Sequence, residues 1–542
     1  MTAPVSRLTG HQLTGHQLIG HQLIGGESTP GDDASFHAVD PRTGLPLEPP
    51  FTAASSAQVE RAASLAAQAF DTYRHTTPEV RAAFLDSIAA RIEGLGPQLR
   101  ERVIAESGLP APRVESETAR TTGQLRLFAD HVREGGWRDV HIDTPRPDRT
   151  PLPRPDLRRR QIPLGPVAVF AASNFPLAFS VAGGDTASAL AAGAPVVVKA
   201  HPSHPGTSEL VGRAVQAAAR EHGLPEGVFS LLHGPSEELG RALVTDPRIK
   251  AVGFTGSRGG GLALAAAAAA RPEPIPVFAE MSSTNPVFLL PHALRQDAGE
   301  LGRAFIASMT NATGQLCTSP GLVFAAEGAD LEAFVEAASA AVSGHTAAPM
   351  LSTGIRDGYE RGLARAEAVD GVVVRGRGTD DPAVTTAGRA AVLVTDAATF
   401  LDHPELRDEV FGPAALVVRV PAGPGLETVA RALDGQLTAT VHAVDADREQ
   451  AANLLDILEL KAGRVLFNGW PTGVEVGHAV IHGGPYPSTT APATTSVGTG
   501  AIARFLRPVS YQNVPAELLP PELGDDNPLH LWRRVDGTPT RG

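Results

Sequence analysis

From residue 162 onward, short apolar runs alternate with alanine-rich stretches of helical character. "IPLGPVAVFAAS", "GAPVVVKA", "GVFSLLHG" and "IKAVGFTGS" are β-branched and bounded by Gly or Pro; between them lie Ala178 to Ala192 and Gly206 to His222. Strand, helix and strand at this spacing predict a parallel sheet covered by helices on both faces. A similar alternation returns from Leu322 to about Leu466, predicting a second α/β domain. Upstream, Ala57 to Ile104 carries apolar residues at three-to-four spacing with Glu and Arg between them, the pattern of a pair of amphipathic helices. "TPRPDRTPLPRPD", at 144–156, is too rich in proline for a helix and reads as an extended crossing segment. Past the second domain, "TSVGTGAIARFLRPVSYQNVP" is apolar and tyrosine-bearing, an arm or edge strand that must pack on something, another subunit being one candidate.

The N-terminus breaks both periods. LTGHQ, LTGHQ, LIGHQ and LIGGE run from Leu8 to Glu27, and their histidines recur at every fifth position, which suits neither strand nor helix. The expectation is a leader with little fixed structure; a histidine-based metal tract is the competing reading, but no Cys or acidic ligand accompanies it.

Composition narrows the class. A chain of 542 residues exceeds one ordinary core, and 42% hydrophobic with 19% charged residues describes a soluble globular protein. With 46 Lys and Arg against 59 Asp and Glu, the formal charge of −13 disfavours nucleic acid or anionic membrane as partner. No apolar run reaches membrane-spanning length, and the Ala-rich "GLALAAAAAA" reads as a helix. The N-terminus lacks the pattern of a secretory signal. One cysteine excludes an intrachain disulfide and fits a reducing compartment, so cytoplasm is the expected location.

That cysteine, Cys317 in "TNATGQLCTSPG", is either an inert buried thiol or a nucleophile. "VGFTGSRGGG" follows a predicted strand and opens a predicted helix, so Thr255, Gly256 and Ser257 form either a phosphate-binding turn or a plain strand-to-helix connection. Glu280 ends an apolar run, where burial would raise its pKa toward that of a general base, unless it serves as a cap or an ion-pair partner. Asn174, before Phe-Pro, is a turn former or an amide donor aimed into a cleft. All four features fall at predicted strand ends or loops, where open α/β sheets bind ligands.

Taken together, Asn-Phe-Pro at 174–176, Phe-Thr-Gly-Ser at 254–257, Glu280 with Asn285-Pro286 after it, Gly-Gln-x-Cys-Thr at 314–318 and "DEVFGP" at 408–413 resemble the aldehyde dehydrogenase superfamily. They stand in the family's order, and the spacings of 37 positions from Glu280 to Cys317 and 143 from Asn174 to Cys317 are close to the family's. The resemblance implies an α/β fold with a Rossmann-type cofactor domain, a second α/β catalytic domain and a small oligomerisation arm. It implies boundaries of 1–34 for the leader, 35–145 and 163–279 for the cofactor domain, and 280–490 for the catalytic domain. The arm would take 146–162 and 491–520, and 521–542 would be a tail. It also implies roles: Cys317 as nucleophile forming a thiohemiacetal and then a thioester, Asn174 as oxyanion donor, Glu280 as the base that activates water, and Glu409 and Phe411 against the nicotinamide ribose and ring.

Where most members carry a glutamate after the second strand, this chain reads "VVVKAHPSHPGT", with Lys199 retained and Pro202 in the glutamate's place. No carboxylate there would repel a 2′-phosphate, and Lys199 with His201 or His204 leaves room for one, so NADP is expected over NAD, with NAD also admissible. "KAHPSHPGTSE", "GWPTGVEVGHAVIHGGPYPSTT" and the C-terminal arm resemble the branch of 2,5-dioxovalerate (alpha-ketoglutarate semialdehyde) dehydrogenases, which sets that semialdehyde as the expected substrate. Alternatives are a long-chain aldehyde and a catalytically silent binding protein on this fold. Phe175, Phe179, Leu316 and Thr318 are candidate tunnel residues, the two phenylalanines equally readable as core. Glycines and β-branched residues between His478 and His482 argue against a helical metal pair, and no metal is expected. A homodimer or homotetramer is expected, through the arm.

Overall fold

The computed structural model describes residues 18–542, in which three sheets organise the chain. Five parallel strands, Val167–Phe170, Val196–Lys199, Phe229–Leu232, Ala251–Thr255 and Val277–Glu280, form the centre of the first. All but the last are almost wholly buried, as their unbroken apolar runs require, with helices such as Gly184–Ala192 and Pro205–Glu221 packed over them. The spatial order is 277–280, 251–255, 167–170, 196–199, 229–232, so the strand sequence reverses beside Val167–Phe170. The crevice at the carboxyl ends of 167–170 and 251–255 is therefore a topological switch point. The second sheet runs 373–377, 391–396, 414–420, 322–326, 287–289, 436–442, 462–467, with only the first strand antiparallel.

The helical region departs from its expectation. Instead of a pair between Ala57 and Ile104 there are three helices, Ser56–Tyr73, Pro78–Gly94 and Gly96–Ser107, followed by Ala111–Glu134. Thr77 makes the extra break: its hydroxyl caps Val80 N–H and Pro78 occupies the first helical turn, so one apolar period spans two helices.

The N-terminal expectation is corrected more sharply. The last two copies of the pentapeptide form a hairpin, Gln22–Ile24 with Glu27–Thr29, that extends the first sheet through the pair Leu23↔Leu231. Leu23 and Ile24 are fully buried. The Gln22 amide is satisfied on both sides, donating to the Thr52 carbonyl at 2.6 Å and accepting from His233 N–H at 2.6 Å. Gly25 and Gly26 supply the positive φ of the turn. The first two copies lie outside the described residues.

The third sheet joins Leu506–Gln512, Leu157–Pro163, His141–Asp143, Arg533–Val535 and Thr538–Thr540. Residues 521–542, expected as a separate tail, thus belong to the arm. Leu523 is fully buried there, and Glu522 pairs with Arg138 at 2.7 Å and with Arg160. No helix among the described residues is long and apolar enough to cross a membrane.

Candidate active site

Three chain segments far apart in sequence converge on Cys317. The first is its own loop. Ala312, Thr313 and Gly314 all have left-handed φ, at 51°, 56° and 66°, so the chain reverses tightly just before the cysteine. A Cβ at Gly314 would stand 2.3 Å from the Gly412 carbonyl, and one at Gly412 would stand 2.3 Å from the Tyr359 ring, which explains glycine in both the Gly-Gln-x-Cys and Phe-Gly-Pro stretches. Asn285 clamps the other side: its Nδ2 donates to the carbonyls of Cys317 and Ser319, each at 2.9 Å, while its Oδ1 accepts from the Ser283 and Thr438 hydroxyls.

Asn174 follows the first parallel strand at the switch point. Its amide donates one hydrogen bond to the Gln315 carbonyl at 3.0 Å, which leaves its second N–H free beside the cysteine loop. No protein acceptor takes the Cys317 backbone N–H among the described residues.

The third segment was missed. Glu280 ends the edge strand Val277–Glu280, and the loop 482–496 seals that edge: Met281 N–H donates to Ser488 O at 2.8 Å and Thr490 N–H to Ala279 O at 3.1 Å. The loop delivers His482 Nε2 to 2.9 Å from Glu280 Oε1 and 3.4 Å from Cys317 Sγ, and Ser496 Oγ donates to Glu280 Oε2 at 2.7 Å. His482 had been considered only with His478, which instead contacts Thr499 at 3.2 Å. Thiol, imidazole and carboxylate atoms all lie within 4.8 Å of one another, a ligand set that a thiophilic divalent ion would also accept.

Electrostatics corrects one expectation. Burial does push Glu280 up, yet His482 and the hydrogen bonds from His482, Ser496 and Cys317 outweigh it, holding the carboxyl below its usual range. It is a ready carboxylate at neutral pH, not an acid poised near it. Desolvation, together with Glu280 and Glu409, drives the Cys317 thiol well above its usual range, so forming a thiolate there requires a proton acceptor at hand.

A cavity of about 480 Å³ opens onto the sulfur. Phe175, Phe179, Leu316 and Thr318 line it, and its wall carries Arg113 and Arg120 from helix Ala111–Glu134. The two phenylalanine rings meet edge-on at 5.2 Å, and Phe179 lies 6.1 Å from the His482 ring.

At the switch point, Thr255 pairs in register with Glu280, and Ser257 caps helix Arg258–Ala269 by accepting from Gly260 N–H at 3.2 Å. A side chain at Gly256 would meet the Phe254 ring at 2.7 Å. Lys199 ends its strand with only a 3.4 Å contact to the Ala200 carbonyl, and burial lowers it to about 8. Burial, the His204 ring and Lys199 hold His201 well below its usual range, so it is neutral. His204 is spent on the Ala172 carbonyl at 2.8 Å and Ser208, and does not serve the cleft. Glu409 receives only a 3.5 Å contact from Ser283 N–H, and burial raises it to about 8; Phe411 stands two residues on.

The chain's likeness to known proteins agrees with this layout. It is 52% identical over 512 residues to alpha-ketoglutaric semialdehyde dehydrogenase 2 of Azospirillum brasilense, covering 94% of this chain and 97% of that one. It is 47% identical over 494 residues to the alpha-ketoglutaric semialdehyde dehydrogenase of Acinetobacter baylyi, covering 91% and 93%. In fold it resembles the crystal structure of lactaldehyde dehydrogenase from Escherichia coli, with a TM-score of 0.78 at 21% identity over 91% of this chain and 98% of that one. The sequence profile of the aldehyde dehydrogenase family matches residues 29–501. With its cysteine loop, switch-point cleft and three larger sheets in place, the chain belongs to the aldehyde dehydrogenase family.

Proposed function

We propose that the protein oxidises 2,5-dioxopentanoate (alpha-ketoglutarate semialdehyde) to 2-oxoglutarate, with NADP preferred over NAD as electron acceptor. The observation that carries the substrate is the 52% identity to the Azospirillum enzyme across 94% of this chain. A dinucleotide suits the switch-point cleft because two half-buried ionisable groups there, Lys199 and Glu409, have only long hydrogen-bond contacts among the described residues, beside a Ser257-capped helix start. A bound nicotinamide supplies the hydride acceptor that aldehyde oxidation requires. The preference for NADP follows from Pro202, which offers no carboxylate to repel a 2′-phosphate, with Lys199 as the cation and neutral His201 as a hydrogen-bonding neighbour.

In this mechanism the Cys317 thiol passes its proton to the Glu280 carboxylate, to which it hydrogen-bonds and which the His482 N–H steadies, and the sulfur adds to the aldehyde carbon. The free Asn174 N–H and the Cys317 N–H receive the oxyanion, a contribution of about 3–4 kcal/mol per donor in comparable sites. With a nicotinamide bound to accept the hydride, a thioester on Cys317 would result. Glu280, once it has passed that proton to solvent, draws a proton from water, whose oxygen attacks the thioester carbon; collapse expels the thiolate, which takes the proton back from Glu280, and the released acid ionises to the carboxylate. Because Glu280 performs hydrolysis, product should form without coenzyme A.

Reduced-nicotinamide absorbance, followed with 2,5-dioxopentanoate, succinic semialdehyde and a long-chain aldehyde against each cofactor, tests the reading. Highest kcat/KM with the first substrate and NADP is expected; a long-chain preference or dependence on coenzyme A would overturn it. The same reading carries a homodimer or homotetramer built on the arm, whose outer strand Leu506–Gln512 pairs on one side only, and a cytoplasmic location.

A further inference from the structure

Helix Ala111–Glu134 places two arginines on the wall of the cavity above Cys317, seven residues apart and so on one helical face. They are not equivalent. Arg113 is ion-paired with the buried Glu117 at 2.8 Å and lies over the Phe175 ring at 4.5 Å. Glu117 is itself committed, accepting from Leu177 and Ala178 N–H at 2.9 and 3.0 Å; the pair anchors the turn after Asn174. Arg120 pairs with no carboxylate among the described residues. It donates to the Val474 carbonyl at 2.6 Å, lies 5.7 Å from the Phe179 ring, and keeps its Nε buried without a partner. The other acidic lining residue, Glu475, is exposed.

A guanidinium withdrawn from water with no counter-ion is costly, and a ligand carboxylate relieves that cost with a charge-assisted hydrogen bond. We infer that Arg120 binds the carboxylate at the far end of the substrate and thereby selects a semialdehyde of a carboxylic acid over a neutral aldehyde of equal length. The assignment rests on the substrate reading above, and it names the specificity residue of that site. Phe179, in ring contact with both Arg120 and His482, spans the distance between the carboxylate end and the reacting end.

The test compares kcat/KM for 2,5-dioxopentanoate and for pentanal in the wild type, R120Q and R120K. Arg120→Gln should lower the ratio of the two values by roughly 10- to 100-fold, mostly through KM for the charged substrate, as expected for loss of one hydrogen bond to a charged group. Arg120→Lys should recover part of that ratio. If both substrates lose equally in R120Q, Arg120 only tethers the Val474 loop and the assignment is wrong; an unchanged ratio has the same consequence. A wild type that does not favour the semialdehyde at all overturns the substrate reading instead, which keeps the two failures apart. Inhibition by 2-oxoglutarate, measured with pentanal as substrate, should weaken in R120Q by a similar factor.

Discussion

One ring nitrogen is shared between a sulfur and a carboxylate, and most of the site's chemistry follows from that. Desolvation and two carboxylates push the Cys317 thiol upward, and in the proposed mechanism the His482 Nε2–H, 3.4 Å from the sulfur, is the donor that stabilises the thiolate. His482→Gln should therefore slow alkylation of Cys317 by iodoacetamide near pH 7 by about tenfold or more and move its pH midpoint upward; an unshifted profile would leave the imidazole with a structural part only. Glu280→Gln should permit one rapid burst of nicotinamide reduction per site and then stall as acyl-enzyme, whereas undiminished steady turnover would remove Glu280 from hydrolysis. Lys199 makes a pH prediction with a definite sign. Burial sets it at about 8, so its positive charge is lost as pH rises through that value, and with it the attraction for a 2′-phosphate. KM for NADP should climb above about pH 8 while KM for NAD stays nearly flat; parallel behaviour of the two cofactors would exclude that contact. Cys317, Glu280 and Asn174 could be singled out in the sequence because each sits in a distinctive local motif. His482 could not, because its only local signal, a histidine among glycines, carries no information about a carboxylate 202 positions away.

At the scale of elements, the cysteine is presented by loops that only small or amide side chains can build. Gly314 packs against the Gly412 carbonyl in a left-handed turn, and Gly314→Ala should lower both the apparent thermal midpoint and kcat, since backbone cannot yield as a side-chain tip would. Asn285 holds the carbonyls of Cys317 and Ser319 from a left-handed φ of 48°. Asn285→Ala should cost roughly 2–4 kcal/mol, by stranding buried polar groups and forcing alanine into that conformation. Denaturant titration with the activity readout distinguishes this from a purely local effect: both should fall together. The parallel strands were legible because burial on both faces demands continuous β-branched runs. The helix Ala111–Glu134 was not, since its sequence "APRVESETARTTGQLRLFADHVRE" is dominated by polar residues, four of which, Arg113, Ser116, Glu117 and Arg120, the fold turns into a cavity wall.

For the whole molecule, the N-terminal hairpin shows how an edge strand is recruited by what it covers. Leu23 and Ile24 are fully buried against the first sheet, and deleting residues 1–29 should destabilise the protein by about 3–6 kcal/mol, read as a lower denaturant midpoint. An unaltered midpoint would mean that the sheet closes equally well without it. Residues 521–542 enter the arm for a similar reason, their buried Leu523 and the Glu522 ion pairs finding partners in strand Leu157–Pro163 and at Arg138. By itself the amino-acid sequence determined the α/β class and the two parallel sheets, and it singled out Cys317, Glu280 and Asn174 as candidates, because strand burial and tight turns leave local marks in residue type and spacing. Only the tertiary structure decided that His482 meets Glu280 and Cys317, that Glu280 is held ionised, that Arg120 stands in the cavity wall with no carboxylate partner among the described residues, and that the end of the pentapeptide repeat becomes a strand. Each of these is a contact between segments tens to hundreds of residues apart, and a charge or a pKa takes its value from such neighbours rather than from its place in the chain.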